Sequence, residues 1–276
     1  MKKPTFLCIG AQKAGTTWLH RCLTLHPKIW LHPCKEIHYF DAVHLQIDFR
    51  TRRLNNLYSR LTKIIVKGNE QEKLSDLRLL SELALVDQYT DSWYLSLFRE
   101  AGENQIVGEI TPAYSALPEE GVRHIKELLG DIKIIFIMRN PVKRSWSAAL
   151  MSKRQQINQG ESITEKDWIR YFQTWKDYQQ KSDYKRITKN YEKYFSKILY
   201  LFYDDICENP ILLLKKVCHF LAVDPNVEVF NNIHTERFNA NPEIEIPKAI
   251  ETYLKEEFHE LEKWVKDKYD PYRFDL

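Results

Sequence analysis

The segment that most constrains this chain is GAQKAGTTW, Gly10 to Trp18, which directly follows a short apolar run. A strand, a glycine-containing turn and a helix in this order form an anion site, because backbone N–H groups at the helix start point towards the ligand. The spacing of Gly10 and Gly15 matches the nucleotide-binding loop GxxxxGK[ST], but Thr16 stands where that loop has its lysine. The lysine of this segment is Lys13, inside the turn. The segment therefore predicts a phosphate site that is not arranged for a magnesium–nucleoside triphosphate.

Short apolar runs rich in β-branched residues alternate with helical patterns along the chain. The runs have the length expected of strands that are buried on both faces of a parallel sheet. They are Phe6–Ile9, Ile106–Ile110, Lys133–Met138 and Ile198–Tyr203. This alternation predicts an α/β fold that is P-loop-like and three-layered, with a central, mainly parallel sheet flanked by helices.

Helix caps and apolar spacing mark the elements between the runs. The predicted helices are Thr17–Leu25, Glu119–Leu129 with Gly130 as its stop, a helix capped by Asn209 with Pro210 at its first position, and a long amphipathic helix through Ile250, Leu254, Phe258, Leu261 and Val265. The aromatic residues at helical spacing favour core packing over an acceptor platform; they are Trp168, Tyr171, Phe172, Trp175 and Tyr178.

The segment from about 43 to 88 differs from the rest, because it is rich in Leu, Arg and Lys and has no strand pattern. It predicts an additional helical layer or a mobile insertion. The chain contains no repeat, low-complexity tract or Pro/Gly/Ser-rich linker. We therefore predict a single domain over residues 1–276, with the segment 43–88 as a helical insertion.

Charge and composition exclude several classes of protein. The 276 residues carry a formal net charge of +3, without the concentrated excess of cations that a nucleic-acid-binding protein shows. The five cysteines form no CxxC pair and no metal spacing, and the odd count disfavours a disulfide framework. No apolar run approaches the length of a membrane span, and the N-terminal apolar run is too short for a secretory signal. We expect a cytoplasmic protein without a metal site.

A second anion motif lies in IIFIMRNPVKRSWSAAL. Arg139 ends the predicted strand, Pro141 begins the following helix, and Ser147 lies within that helix. The guanidinium of an arginine offers a fork of donors to a phosphate, and a serine hydroxyl adds a neutral donor. Two anion sites at separate strand-to-helix junctions suit a nucleoside that carries phosphates at both ends.

Both motifs resemble those of sulfotransferases that use 3′-phosphoadenosine-5′-phosphosulfate (PAPS). The segment QKAGTTWL looks like the 5′-phosphosulfate loop of that family, and RNPVKRSWS looks like its 3′-phosphate motif, RNPxxRxxS. The segments CKEIHYFD (Cys34 to Asp41) and GEITPAY (Gly108 to Tyr114) resemble the heparan-sulfate-type branch of the family. One departure is Ile110, which stands where that branch often has a lysine. Because the predicted chain has no membrane anchor, a bacterial-type soluble relative fits it best.

The resemblance implies transfer of a sulfuryl group from PAPS to a hydroxyl or an amine, with PAP as the second product. It implies that Lys13 stabilises the leaving phosphate and that Glu36, which matches the family's glutamate, is the general base. His38 is expected to share a face with Glu36 if the segment is extended, and to orient Glu36 or the acceptor. Asp41 and Glu109 are the remaining acidic candidates.

The resemblance implies that the PAPS-binding site contains more residues than Lys13 and Arg139. Its residues are Lys13, Ala14, Gly15, Thr16, Thr17, Trp18, Arg139 and Ser147, together with Arg237 and Asn239 of the segment ERFNANP, which resembles a loop that closes over the nucleotide. Structural alternatives stay open, since Glu36 could be a salt-bridge partner and His38 a structural histidine.

Two other functions stay open on the sequence. One is a P-loop-type small-molecule kinase, against which the missing lysine after Gly15 argues. The other is a protein that binds PAPS without catalysis. A small molecule or a carbohydrate is the expected acceptor, whereas the acceptor's identity and the oligomeric state are open.

Overall fold

A five-stranded sheet forms the centre of the part of the chain that the structure describes. The computed structural model describes residues 2–67, 74–84, 89–175, 177–225, 227–230, 244–270 and 274. The strands are β1 (Phe6–Gly10), β2 (Ile29–Leu31), β3 (Ile106–Ile110), β4 (Lys133–Met138) and β5 (Ile198–Phe202). Their spatial order is β2-β3-β1-β4-β5, and neighbouring strands pair in parallel. A parallel sheet needs cover on both faces, which explains why its strands are mostly apolar.

Helices connect the strands and flank the sheet. The helices are α1 (Thr16–Thr24), α2 (Phe40–Leu45), α3 (Arg50–Lys67), α4 (Leu74–Ala84), α5 (Asp91–Ser96), α6 (Glu119–Leu129), α7 (Pro141–Ser152), α8 (Arg154–Asn158), α9 (Glu165–Thr174), α10 (Asp177–Ser182), α11 (Tyr184–Glu192), α12 (Tyr203–Glu208), α13 (Pro210–Leu221) and α14 (Lys248–Lys268). Short 3₁₀ turns occupy Pro112–Ala116 and Val227–Phe230.

The strand order creates a crevice between β1 and β4. After β1 the chain passes to β2 at one edge of the sheet, and after β4 it passes to β5 at the other edge. In open parallel sheets ligands bind where neighbouring strands send their connections in opposite directions. The pairing of β1 with β4 shifts by one residue between Cys8 and Gly10 and then continues, because Gly10 pairs with Phe136 and the amide of Ala11 donates to the carbonyl of Ile137 at 2.8 Å. The segments after β1 and β4 are therefore held side by side.

Two apolar clusters support this arrangement. The larger one contains the central strands, in which Phe6, Leu7 and Ile134 are completely buried. The smaller one lies between α7, α9, α10 and α14 and includes Phe172 and Tyr178. The prediction that the aromatic residues of segment 168–178 pack into a core is thereby confirmed.

The predicted fold class is confirmed. The sequence pattern located four of the five strands to within a residue, but missed β2, which has only three residues. The predicted caps are present: Asn209 accepts from the amide of Leu212 at 3.1 Å, and Gly130 ends α6 with a positive φ of 84°. Short strands give little periodicity, so β2 is recognisable only by its pairing with β3.

Helices occupy the described part of the segment 43–88. These are the end of α2, then α3 and α4. The single-domain interpretation, with this segment as an insertion, stays a prediction. Within the described ranges, none of the helices is both long enough and apolar enough to cross a bilayer.

Gly108 is a sensitive point of the sheet. A methyl group at this position of β3 would overlap the ring of Phe6, which is completely buried on β1. We expect Gly108→Ala to lower the free energy of unfolding by about 1–3 kcal/mol through overpacking, as measured by urea denaturation. Gly102→Ala is the control, because its nearest neighbour is the flexible end of Gln105. Equal losses in the two variants would contradict the close contact between β1 and β3.

Candidate active site

The loop after β1 has the backbone of an anion site. Lys13 lies in the left-handed region with a φ of 69°, and Gly15 caps α1 with a φ of 87°. A side chain at Gly15 would collide with Ile206, so the position requires glycine for space as well as for conformation. Ala14 and Thr16 are buried, whereas Lys13 is half-buried. The loop therefore directs the first amides of α1 and the Lys13 ammonium to the same crevice edge.

The remaining loop residues frame this turn. Trp18 is buried in the main core, and Thr17 is partly exposed in the first turn of α1. Ser147 is partly exposed on α7, which begins at Pro141. Arg237 and Asn239 lie outside the described residues.

Arg139 joins the second anion motif to the first. Its Nη1 donates to the carbonyl of Lys13 at 2.7 Å, and its guanidinium lies over the ring of Tyr203, 4.3 Å from the centroid. The hydroxyl of Tyr184 donates to the Arg139 carbonyl at 2.7 Å, which fixes the backbone. The Nε of Arg139 is buried and has no hydrogen-bond partner among the described residues. A buried donor without a partner costs free energy, so this guanidinium is suited to donate to a bound anion.

The second arginine of the RNPVKRSWS motif has a structural role. Arg144 is completely buried, and it donates to the hydroxyl of Ser182 at 2.7 Å and to the carbonyl of Tyr178 at 2.8 Å. These contacts tie α7 to α10. The two arginines of the motif therefore have different environments: Arg139 lies at the crevice, and Arg144 stabilises the packing of the core.

Positive charge is concentrated around Lys13. Burial, together with the charges of Arg139, Arg154 and Lys35, lowers the pKa of Lys13 to about 8. Neither Lys13 nor Arg139 forms an ion pair with a carboxylate in the described part of the chain. Lys13 and Arg139 together favour an anionic ligand, because such a ligand offsets their repulsion and desolvation. Lys13 is charged below about pH 8 and neutral above it, so anion binding here weakens as the pH rises through that value.

Glu36 lies beyond the end of β3, in a segment without regular structure. Its amide donates to the carbonyl of Ile110 at 3.2 Å. Its carboxylate contacts three cationic or imidazole groups: Lys35 at 2.5 Å, Arg52 at 3.1 Å and His38 at 3.4 Å. Burial opposes ionisation of Glu36, but the hydrogen bonds and charges of His38 and Lys35 outweigh it, so the pKa of Glu36 lies well below its usual range.

The segment that carries Glu36 and His38 is not extended, so the condition under which strand alternation would place them on one face is not met. Both residues have left-handed backbone, with φ values of 65° and 55°. The side chains nevertheless meet, because the turn folds Nε2 of His38 towards Oε2 of Glu36. His38 Nδ1 lies 2.7 Å from the buried carboxylate of Asp41. Burial alone would lower the pKa of His38, but Asp41 and Glu36 raise it above the usual value.

Glu109 is a structural carboxyl group. It is buried on β3 and accepts from the hydroxyls of Tyr94 at 2.5 Å, Thr111 at 2.7 Å and Tyr114 at 2.7 Å. Burial raises the pKa of Glu109. Asp41 is paired with His38 and its side chain is only 1% exposed, whereas the Glu36 side chain, although paired, is 25% exposed. Ile110 is buried in the core, and the cations near Glu36 come from Lys35 and Arg52.

Parallel pairing brings the three segments to one edge of the sheet. β1 pairs with both β3 and β4, so the Lys13 loop stands between the Glu36 segment and Arg139. Lys35 couples the Glu36 segment to the Lys13 loop electrostatically, because its charge lowers the pKa of both Lys13 and Glu36. Sequence reasoning missed Lys35, Arg52 and Arg154. Lys35 adjoins Glu36 and could have been noticed, whereas Arg52 and Arg154 carry no motif.

Comparison with known proteins decides the family. The model of the sulfotransferase family matches residues 4–226. The chain belongs to the sulfotransferase family. A relative of this sulfotransferase in Dictyostelium discoideum, named membrane-associated sulfotransferase kil1, is 32% identical over 145 residues, which cover 52% of this chain and 22% of the relative. The matched part is thus about a fifth of the relative's length.

Solved structures show the same fold. A sulfotransferase from Alicyclobacillus acidocaldarius has a TM-score of 0.64 at 20% identity and covers 97% of this chain and 96% of its own. The sulfotransferase domain of the Synechococcus PCC 7002 olefin synthase has a TM-score of 0.52 at 16% identity, over 93% and 94% of the two chains. The P-loop-like, helix-flanked parallel sheet is therefore shared with known sulfotransferases.

Metal-binding side chains do not cluster in the residues described. There, no group of three or more His, Cys, Asp or Glu side chains has the geometry to hold a metal ion.

The charge of Lys13 is open to direct measurement. We expect the Cε resonance of Lys13 in ¹³C-labelled protein to titrate near pH 8, with assignment by Lys13→Met. Arg139→Gln removes one of the cations that lower this pKa, so the midpoint rises by about 0.5–1 unit. Lys143→Gln is the charge-matched control on the exposed side of α7. A Lys13 midpoint near 10.4 in the native protein contradicts the cationic cluster.

Proposed function

We propose that this sulfotransferase moves a sulfuryl group from PAPS to a hydroxyl or an amine of its acceptor and releases PAP. The observation that carries the proposal is the contact between Arg139 and the Lys13 carbonyl. It supports a single nucleotide spanning both motifs, with one phosphate at the Lys13 loop and the other at Arg139. The donor set fits such a ligand, because the buried Nε of Arg139 lacks a partner among the described residues.

The 5′ end of the donor belongs to the loop after β1. In the proposal the amides of Gly15, Thr16, Thr17 and Trp18 hold the 5′-phosphate, while the amide of Ala14 closes the turn by donating to the carbonyl of Ala11 at 3.2 Å. The Lys13 ammonium faces the oxygen that bridges phosphorus and sulfur. That oxygen gains negative charge as the S–O bond breaks, and a nearby cation stabilises it. The fold supports this role, since the left-handed turn at Lys13 lies directly before α1.

The 3′ end belongs to the segment after β4. Arg139 and Ser147 bind the 3′-phosphate in the proposal, and Arg139 is anchored for it by Tyr184 and Tyr203. Arg237 and Asn239 complete the nucleotide site as a prediction from sequence. The reaction as proposed uses amides and cations of the chain and requires no metal ligand set.

Glu36 is the proposed general base. As the acceptor oxygen or nitrogen forms its bond to sulfur, its proton passes to a Glu36 oxygen, and the electrons of the broken S–O bond stay on the 5′-phosphate. Glu36 in its present ion pairs is a weak base, because its pKa lies well below the usual range. An acceptor that displaces one of the paired cations raises that pKa towards the value that proton transfer needs.

The acceptor class and cell compartment are further parts of the proposal. The placement of CKEIHYFD and GEITPAY beside the crevice supports the heparan-sulfate-type branch and a small-molecule or carbohydrate acceptor. A cytoplasmic location remains an expectation from the sequence; the name of the Dictyostelium relative describes that protein as membrane-associated.

Nucleotide preference tests the donor site. We expect PAP to raise the melting temperature of the protein and to bind at least about tenfold more tightly than adenosine 5′-phosphate, because charge-assisted hydrogen bonds contribute about 1.5–3 kcal/mol. Arg139→Ala should remove that preference. Stabilisation by magnesium–ATP without stabilisation by PAP would favour the kinase alternative.

Substitution of Glu36 tests catalysis. With ³⁵S-labelled PAPS and an acceptor found by screening, Glu36→Gln should lower turnover by about 100- to 10,000-fold, the usual contribution of a general base. Its PAP affinity should stay within about twofold of native. Lys13→Ala should reduce turnover more than PAP affinity. Unchanged transfer in Glu36→Gln removes Glu36 from the mechanism, and PAP binding without any transfer favours the non-catalytic alternative.

A further inference from the structure

The segment that carries Glu36 depends on contacts from outside itself. Residues 35–39 belong to no helix or strand. Left-handed backbone at Glu36 and His38 costs roughly 1–2 kcal/mol per residue for side chains of this kind. Such conformations persist only where the surroundings hold them. The elements that hold this segment therefore also set the position of the Glu36 carboxylate.

The start of α3 provides those contacts. The ring of Phe49 stacks on the ring of His38, with centroids 4.1 Å apart and planes 12° apart. Arg53, one turn further on and buried, donates from Nη2 to the carbonyl of Ile37 and, at 3.2 Å, to the carbonyl of His38. Phe49 and Arg53, four residues apart and therefore on one face, thus contact the imidazole and the backbone of the segment.

Arg52 contacts the reactive side chains themselves. Its Nη2 donates to Oε2 of Glu36 at 3.1 Å, and its Nη1 lies 3.2 Å from Nε2 of His38. A guanidinium has only donors, so His38 must present the lone pair of Nε2 to it. Nδ1 faces a carboxylate oxygen of Asp41 at 2.7 Å and carries the hydrogen. The Arg52 contact therefore favours the neutral imidazole, whereas Asp41 and Glu36 favour the imidazolium and raise the pKa of His38.

We propose that Arg52 is a positioning residue of the acceptor site, which orients the Glu36 carboxylate and favours the neutral, Nδ1–H form of His38. This inference rests on the proposed role of Glu36. Lys35 binds one carboxylate oxygen of Glu36 and Arg52 binds the other, which fixes the plane of the carboxylate and leaves lone pairs for an acceptor proton. The Arg52 side chain is 56% exposed, so an entering acceptor can displace it.

Protonation of His38 opposes this bridge. An imidazolium would carry a hydrogen on Nε2, repel Arg52 and donate to Glu36, which lies 3.4 Å away. Binding of a proton at Nε2 and the hydrogen bond from Arg52 therefore compete for the same lone pair of Nε2. The groups that face His38 are Asp41 at Nδ1, Glu36 and Arg52 at Nε2, Phe49 on the ring face and Arg53 at the carbonyl.

Histidine NMR tests the bridge without knowledge of the acceptor. In protein with ¹⁵N-labelled histidine, with His38 assigned by His38→Gln, we expect Arg52→Gln to raise the midpoint of His38 by about 0.5–1 pH unit. The variant removes a cation and a donor that both favour the neutral ring. Arg50→Gln removes the same charge from the exposed first residue of α3 and should shift the midpoint by less than about 0.2 unit.

Arg52→Lys separates the two-point bridge from charge alone. An ammonium group replaces the charge but cannot bind both side chains in the fixed geometry of a guanidinium, so it should restore less than half of the shift. Full restoration by lysine, no shift in Arg52→Gln, or an equal shift in Arg50→Gln overturns the inference. PAP binding to the native protein is measured in parallel. If the native protein does not bind PAP, the proposed function is contradicted, and the histidine titration still tests the role of Arg52.

Discussion

The hydrogen bond from Arg139 to the Lys13 carbonyl depends on the pairing of two neighbouring strands. β1 and β4 remain paired as far as the amide of Ala11, across a one-residue register shift between Cys8 and Gly10, so the loops that follow them start side by side. The chain then places a lysine and an arginine there, neither with a carboxylate partner among the described residues. The packing of the surrounding core holds the two positive charges close together despite their repulsion. A bound anion reduces this repulsion.

The surroundings of Glu36 are assembled differently. Glu36 stands in irregular backbone at the end of β3, and it is held by a helix that belongs to the segment 43–88. Lys35, beside Glu36, lowers the pKa of both Glu36 and Lys13. A change in the position of α3 would therefore alter the proposed base directly and the donor loop through Lys35.

Much of the fold could be predicted from local pattern. β-branched runs located β1, β3, β4 and β5, and caps such as Asn209 and Gly130 located helix ends, because these signals act over a few residues. β2 was missed because three residues carry no period. At the site, the glycine spacing and the arginine after β4 predicted residues that the structure does bring together. The left-handed backbone at Glu36 and His38 could not be predicted, since left-handed residues other than glycine leave no mark in sequence.

The sequence by itself determined the class of fold and the anion-site character of the loop after β1. Glycine spacing, the shifted position of Lys13 and the arginine after a strand are local features, and anion binding at a helix start needs little else. Only the tertiary structure decided which charges surround Glu36. Arg52 and Phe49 reach it from a helix whose docking depends on packing and not on a motif, so their proximity to Glu36 and His38 is a property of the folded chain.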